Sequence, residues 1–431
     1  MKRKALLGIG AVAIAGLLGG CAFGGGGTTT GGSTPSGPVT LTFQSLAYQD
    51  STVAATKSIV DSWNADHPDI QINLVQGSWD NVHDQLVTQF QGGTAPDIIH
   101  DESSDIMGFA NQGYLADIGQ YLTDDVKNAV SDDVWDTVTT SDGKIVAAPT
   151  LLQTYVVFAN TDAFSAAGVP VPNGDQLTWD DLQADAKKLT ANGNFGVGWG
   201  LKQPTAAVMN TALGFDGSFF DVSDDGSATI DVGDGELAVP EKIHAMAYDD
   251  ASLDPVTLTQ SGSDVLPGFL GGKYAMYVGG NFLAQQISES APAGFNWTVL
   301  PPLAGSAGPV QAANPQTMSV SAQSQYPEQA AQFIDYFMSP ENQAALAQGD
   351  WLIPTSAPAR DVVAQQTSDV PVWAPILKTG EDLSGAPFQK ATNYPQWKDQ
   401  YATPGLQQYF SNSIGIDELK KQLTDGWNSI S

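Results

Sequence analysis

The chain has 431 residues, of which 42% are hydrophobic, with 10 Trp, 12 Tyr and 17 Phe. That is enough apolar surface for a sizeable core and more length than one average domain uses, so global disorder is excluded and two or three domains are expected. The 17 Lys and Arg stand against 47 Asp and Glu, a net charge of −30 that phosphate backbones would repel, so nucleic acid is excluded as a partner. The single cysteine excludes an intrachain disulfide and a thiolate zinc site.

Lys2, Arg3 and Lys4 open the chain as a basic segment, and Ala5 to Leu18 follow as an uncharged, mostly apolar run. The run is too short for an ordinary membrane-spanning helix and suits a signal peptide over residues 1–20. It ends in Leu18-Gly19-Gly20-Cys21, which resembles the lipobox of bacterial lipoproteins, with Cys21 as the acylated residue and new N-terminus. A general secretory signal with a coincidental cysteine is the other reading. Residues 21–38 are rich in Gly, Thr, Ser and Pro, can bury almost nothing, and are expected to be a flexible tether. The protein is therefore expected on the outer face of the cytoplasmic membrane, held there only by its lipid.

From Val39 on, apolar runs alternate with helical patterns. Val39 to Phe43 is a strand, and Val53, Thr56, Ile59, Val60 and Trp63 recur at helical spacing. His67-Pro68-Asp69 stops that helix. Ile70 to Val75 is a second strand, Val82, Leu86 and Phe90 mark a helix broken at Gly92-Gly93, and Asp97 to Ile99 is a third strand. This order predicts a largely parallel sheet in an α/β fold. Later, Thr154 to Ala159, Tyr274 to Val278 and Trp297 to Leu300 read as strands. Thr178 with Asp181 resembles a capping box, Pro327 opens a helix, and Asp417 to Ile430 close the chain as one.

The pieces resemble, in order and spacing, the extracellular solute-binding proteins of ABC importers, in the sugar-binding family that includes maltose-binding protein. They include Ser62 to Ile70, Gly93 to Ile99, Asn111 to Asp117, Lys144 to Pro149, Phe158 to Asp162, Thr178 to Leu182, Phe269 to Asn281, Leu300 to Leu303 and Leu352 to Thr355. The resemblance implies a two-lobed periplasmic-binding-protein-like fold (type II), with discontinuous lobes joined by hinge strands. Lobe 1 would hold residues 39–150 with 305–347, and lobe 2 residues 151–304 with 348–431. The chain would cross near Pro149 to Leu151, return near Pro301 to Gly305, and cross again near Leu346 to Pro354.

A sugar presents apolar faces and a rim of hydroxyls, so binding one calls for aromatic platforms and fixed polar groups. Candidates sit at strand ends: Gln44 and Tyr48, then Trp79 and Asp80, then Asp101 and Glu102, with Tyr155 near the first crossover. By the resemblance, Gln153 and Phe282 (next to Asn281) fall at family ligand positions, and Trp351 and Trp397 lie near others. Asp101 stands where maltose-binding protein has a stacking tryptophan. Core packing is the alternative for each aromatic, and it is taken outright for Trp63 and Trp427, which sit on helix stripes. Trp199 is a further candidate within its glycine-rich segment.

No nucleophile elbow, phosphate-binding loop or zinc-protease motif is present, and the four histidines are scattered. Asp221 to Gly226 begins like a calcium loop but lacks the closing glutamate, so a polar hairpin is preferred. No metal, cofactor or catalytic residue is expected. The function expected is capture of a carbohydrate, most simply an oligosaccharide, by a monomer that delivers it to ABC permease subunits. The alternatives are a binding protein for a polyamine or peptide, an exported glycan-active enzyme, and a sensor of the same ligand.

Overall fold

A computed structural model of the protein describes residues 37–223 and 226–431. The expected signal peptide, the expected lipidation at Cys21 and the expected tether as far as residue 36 lie outside the described residues.

Strands β1 (Val39–Ser45), β2 (Ile70–Gln76) and β3 (Ile98–Glu102) are each followed by a helix, at Asp50–Asp66, Val82–Gly92 and Ser103–Asn111. β1 lies parallel to β2 on one side and to β3 on the other, because each helix carries the chain back before the next strand starts. The first helix buries Thr56, Ile59, Val60 and Trp63 as the spacing predicts, with Thr52 in place of the expected Val53, which is half-buried. It stops before Pro68, where the His67 ring stacks on Trp63 at 3.6 Å and Trp63 Nε1 donates to Ile70 O at 2.8 Å. The next helix ends at Gly93 with φ of +65°, a left-handed turn that suits glycine.

The remaining main strands are β4 (Ala147–Leu152), β5 (Tyr155–Asn160), β6 (Phe195–Trp199), β7 (Tyr274–Gly280), β8 (Trp297–Val299), β9 (Pro315–Val320) and β10 (Ile353–Pro354). They form a six-stranded sheet in the order β10-β4-β9-β3-β1-β2 and a four-stranded sheet in the order β8-β5-β7-β6. The first sheet is mixed rather than largely parallel. β9 runs antiparallel to β3 and β4, and β10 antiparallel to β4. β9 enters from a segment returning from the second sheet, so no β–α–β crossover fixes its direction; β10 follows β9 through the helices Pro327–Phe337 and Pro340–Asp350 and runs the same way.

The crossings fall later than the resemblance implied. Only Gln153 and Thr154 separate β4 from β5, so the first passage lies there. On the return, Gln311–Ala312 pairs in parallel with Leu383–Ser384 before β9 rejoins the first sheet. The third expectation differs most. Ile353 pairs with Leu152, and Val363, Trp373 and Ile376 join the larger core, which takes in residues of the first sheet and of β5 and β7. Residues 353–378, expected with the second lobe, are held at the first sheet by this pairing and by the stack of Trp351 on Trp373 at 4.8 Å. The chain joins the second core from Ala386 and Phe388 onward. Thr154 Oγ1 and Thr379 Oγ1 share a 2.6 Å hydrogen bond where two crossing segments meet.

The second core gathers Trp179, Trp199, Phe220, Trp397 and Trp427, and the closing helix Ile416–Asn428 buries Leu419, Leu423 and Trp427 into it. Phe220–Val222 pairs antiparallel with Ala228–Ile230, which fits the hairpin reading of the Asp221 segment. Among the described residues no helix is long and apolar enough to cross a membrane.

Candidate ligand-binding site

Strand ends converge on one cavity. β1 leads to Tyr48, β2 to Trp79, β3 to Glu102 and Ser104, and β7 to Phe282. Gln153 and Tyr155 come from the β4–β5 crossing, and Asn314 and Gln316 from the start of β9. Tyr394 and Lys398 enter from the C-terminal segment and Asp350 from the end of the helix Pro340–Asp350. The cavity measures about 270 Å³, near the lower end of the ~300–1,000 Å³ of small-molecule sites.

Its polar groups are fixed by partners behind them. Glu102 Oε1 accepts from Ser104 Oγ at 2.9 Å and Oε2 from Asn314 Nδ2 at 3.1 Å. Asn314 is itself held, since its Oδ1 accepts from Ser103 Oγ at 2.9 Å and Ser104 N at 3.2 Å. Behind Gln316 lies His100, whose Nδ1 is 3.0 Å from Leu46 N and whose Nε2 is 3.1 Å from Gln316 Oε1. A backbone N–H can only donate, so Nδ1 accepts and Nε2 carries the proton. Gln316 Oε1 then accepts, and its amide NH2 is left for the cavity. Burial pushes the imidazole down to about 4, so it stays neutral and the relay holds.

Asp350 is 3% exposed although it lines the cavity. Its Oδ1 accepts from Gln49 Nε2 at 3.2 Å and from Thr52 Oγ1. Burial pushes its carboxyl up to about 6, against the opposing pull of those two donors. Loss of water around the hydroxyl and the nearby Asp350 raise Tyr48 to about 12 although half of the residue is exposed, and burial lifts Tyr155 and Tyr394 above the usual phenol range. All three therefore stay protonated and can both donate and accept.

Six of the expected residues line this cavity: Tyr48, Trp79, Glu102, Gln153, Tyr155 and Phe282. The others do not. Gln44 is buried within β1 beside Gln89, at 3.5 Å, and Asp80 is exposed on the surface. Asp101 is fully buried, its Oδ1 accepting from Glu102 N at 2.9 Å, and burial beside Asp105 holds its carboxyl well above the usual range. Side chains alternate along a strand, so Asp101 points into the core where Glu102 points into the cavity. Asn281 is buried and clamps the crossing, its Oδ1 accepting from Thr154 N at 3.1 Å. Trp351 caps its helix with φ of +55° and stacks on Trp373. Trp397 is fully buried, with Nε1 donating to Leu423 O at 2.9 Å, and is a core residue.

Asp350, Asn314, Gln316, Tyr394 and Lys398 escaped the sequence reading. Two of them were adjacent to expected residues, Asp350 before Trp351 and Lys398 after Trp397. Tyr394 and Lys398 stand four apart and both line the cavity, while Trp397, in ring contact with Tyr394 at 6.2 Å, is fully buried in the core. A second cavity of about 520 Å³ is lined by Asp133, Leu152, Arg360 and Glu381 among others, with no aromatic side chain. It lacks a flat apolar platform, so the first cavity is the candidate site despite its smaller volume.

The profile of the bacterial extracellular solute-binding protein family matches residues 42–344. An uncharacterised lipoprotein from the oleD 5′ region of Streptomyces antibioticus is 41% identical over 391 residues, 90% of this chain and 86% of that one. An ABC substrate-binding protein of Listeria monocytogenes in complex with cycloalternan superposes with a TM-score of 0.76 at 22% identity, covering 91% of this chain and 98% of that one. The GacH receptor of Streptomyces glaucescens, solved unliganded and with acarbose, gives 0.75 at 20% identity, covering 90% and 97%. The architecture is thus the two-lobed α/β fold of periplasmic binding proteins, with one sheet in each lobe. The chain belongs to the bacterial extracellular solute-binding proteins.

Proposed function

We propose that the protein captures a carbohydrate in the cavity between its two sheets and hands it to the permease of an ABC importer. The observation that carries this reading is the lining itself. Aromatic rings (Tyr48, Trp79, Phe282) offer apolar faces, and between them stand polar groups with hydrogen-bonding capacity left over (Gln153, Gln316, the Tyr155 and Tyr394 hydroxyls). Such a set matches the faces and rim of a sugar ring. The fold-level relatives solved with cycloalternan and with acarbose are consistent with it. Lobe 1 would then comprise β1–β4, β9, β10 and the helices up to residue 378, and lobe 2 the remainder of 155–304 and 386–431. A lipid on Cys21 would hold the body at the outer face of the membrane, as a monomer beside its permease.

The test is calorimetry and thermal shift against neutral and modified mono- and oligosaccharides, with recovered ligand checked by chromatography. Ligand at 100 times its dissociation constant adds about 2.7 kcal/mol of stability. Saturable binding of a saccharide recovered unchanged is the expected result. Turnover of the saccharide, or silence across every saccharide, would overturn the reading.

A further inference from the structure

One cavity-lining group is left incomplete by the protein. Asp350 Oδ1 has two donors, Gln49 and Thr52, while Oδ2 has no hydrogen-bond donor among the described residues. The residue is 3% exposed, so what surface it keeps faces the cavity. Its placement is unfavourable on two further counts. It ends the helix Pro340–Asp350, where the carbonyl end of the helix dipole repels an anion. None of the ion pairs among the described residues includes it. The contrast is Glu102, whose two oxygens each have a protein donor. Lys398 is the only cation in the lining, against two carboxylates, so the cavity carries a formal excess of one negative charge.

Resting on the carbohydrate reading above, we infer that Asp350 is a ligand-binding residue and that the saccharide carries a basic amino group that docks on its Oδ2. A hydroxyl would complete the hydrogen bond and leave the buried charge uncompensated. An ammonium completes both, and a charge-assisted bond in a water-poor cavity is the stronger one. The Tyr48 ring lines the same cavity, and its hydroxyl is raised in part by the nearby Asp350 charge. A carboxylate beside an aromatic face is a setting that favours a cation. Burial also pushes the Asp350 carboxyl up to about 6, the mark of an anion without its partner.

The test uses matched ligands on the whole protein. Glucosamine, galactosamine and mannosamine, with β-1,4-linked glucosamine oligomers, are compared by calorimetry with their N-acetylated and neutral parents. At least one amino saccharide is expected to bind ten-fold or more tightly than both of its matched parents. Asp350→Asn, which keeps an acceptor for Gln49 and Thr52, is expected to erase that preference while the unliganded protein melts no lower. Neutral or N-acetylated saccharides binding as tightly as every amino partner would overturn this inference and leave the carbohydrate reading standing. A preference that survives in Asp350→Asn would also overturn it. Binding of spermidine alone, with all saccharides inert, would overturn both. The comparison on the unaltered protein decides the ligand class even if the variant fails to fold.

Discussion

Two groups of aromatic side chains differ in what surrounds their rings. In the second core, Phe220 meets Trp427 at 4.6 Å and Trp397 at 5.1 Å, and Trp397 meets Trp427 at 6.3 Å. The indole nitrogens of Trp397 and Trp427 donate to the backbone carbonyls of Leu423 and Ala228. At the cavity, Trp79 has one aromatic partner, His100 at 5.5 Å and edge-on, and Tyr48 is 52% exposed. A ring whose faces are all occupied holds the fold together and has nothing to offer a guest. A ring with a free face costs some stability and can stack. What distinguishes binding from packing is thus the number of faces left uncovered, and Tyr394 belongs to both groups. It touches Phe388 and Trp397 on one side and lines the cavity on the other.

The strongest challenge to this contrast is Trp397→Ala. It should cost ~3–5 kcal/mol of folding stability, since it removes a fully buried indole. Urea unfolding would show it; loss of ligand affinity at unchanged stability would put Trp397 in the binding group after all.

Asp350 should give the next effect, through pH. Its folded pKa, about 6, lies above the value of an unfolded aspartate. The proton is therefore held more tightly in the folded state. The stability it contributes is fully present below about pH 4 and is lost as pH rises through 6. The unliganded protein should become less stable across that window by about 2 kcal/mol, and Asp350→Asn should flatten this part of the profile. Thermal melts from pH 4 to 8 measure both.

Glu102→Gln tests the other carboxylate of the lining. Its amide can accept from only one of Ser104 and Asn314 and turns a donor against the other, costing ~1–2 kcal/mol. Chemical denaturation at neutral pH should show the two carboxylates responding in opposite directions. A gentler probe is Trp79→Ala, expected to weaken ligand binding by roughly three- to ten-fold, or ~0.7–1.4 kcal/mol, with little change in melting. Tyr394→Phe should be milder still, removing one cavity hydroxyl while the ring stays in its cluster.

The opening α/β alternation was legible because each of its helices carries a periodic stripe and a clear stop, as at Pro68 and Gly93. The direction of β9 was not, since a strand arriving from another sheet obeys no local rule, and β10, which follows it through two helices, inherits that direction. Trp351 and Trp397 were drawn to the site by family position, and the chain's own neighbours decided otherwise: Trp373 stacks on one and the Phe220 cluster encloses the other. Asp101 and Glu102 looked alike in sequence, and strand alternation split them. Asp350 carried no signal at all. Its meaning comes from Gln49 and Thr52, some three hundred residues away in the chain.

The line from Leu46 through His100 to Gln316 has a consequence for any elongated guest. A hydroxyl can spin to suit whatever it meets, but this amide cannot. The Leu46 backbone dictates the imidazole tautomer, and the imidazole dictates which end of the Gln316 amide looks inward. The wall at Gln316 therefore always speaks as a donor and asks for a lone pair, while Asp350 asks for a hydrogen. A guest must therefore bring an acceptor to Gln316 and a donor to Asp350, two demands that the fold sets before any ligand arrives.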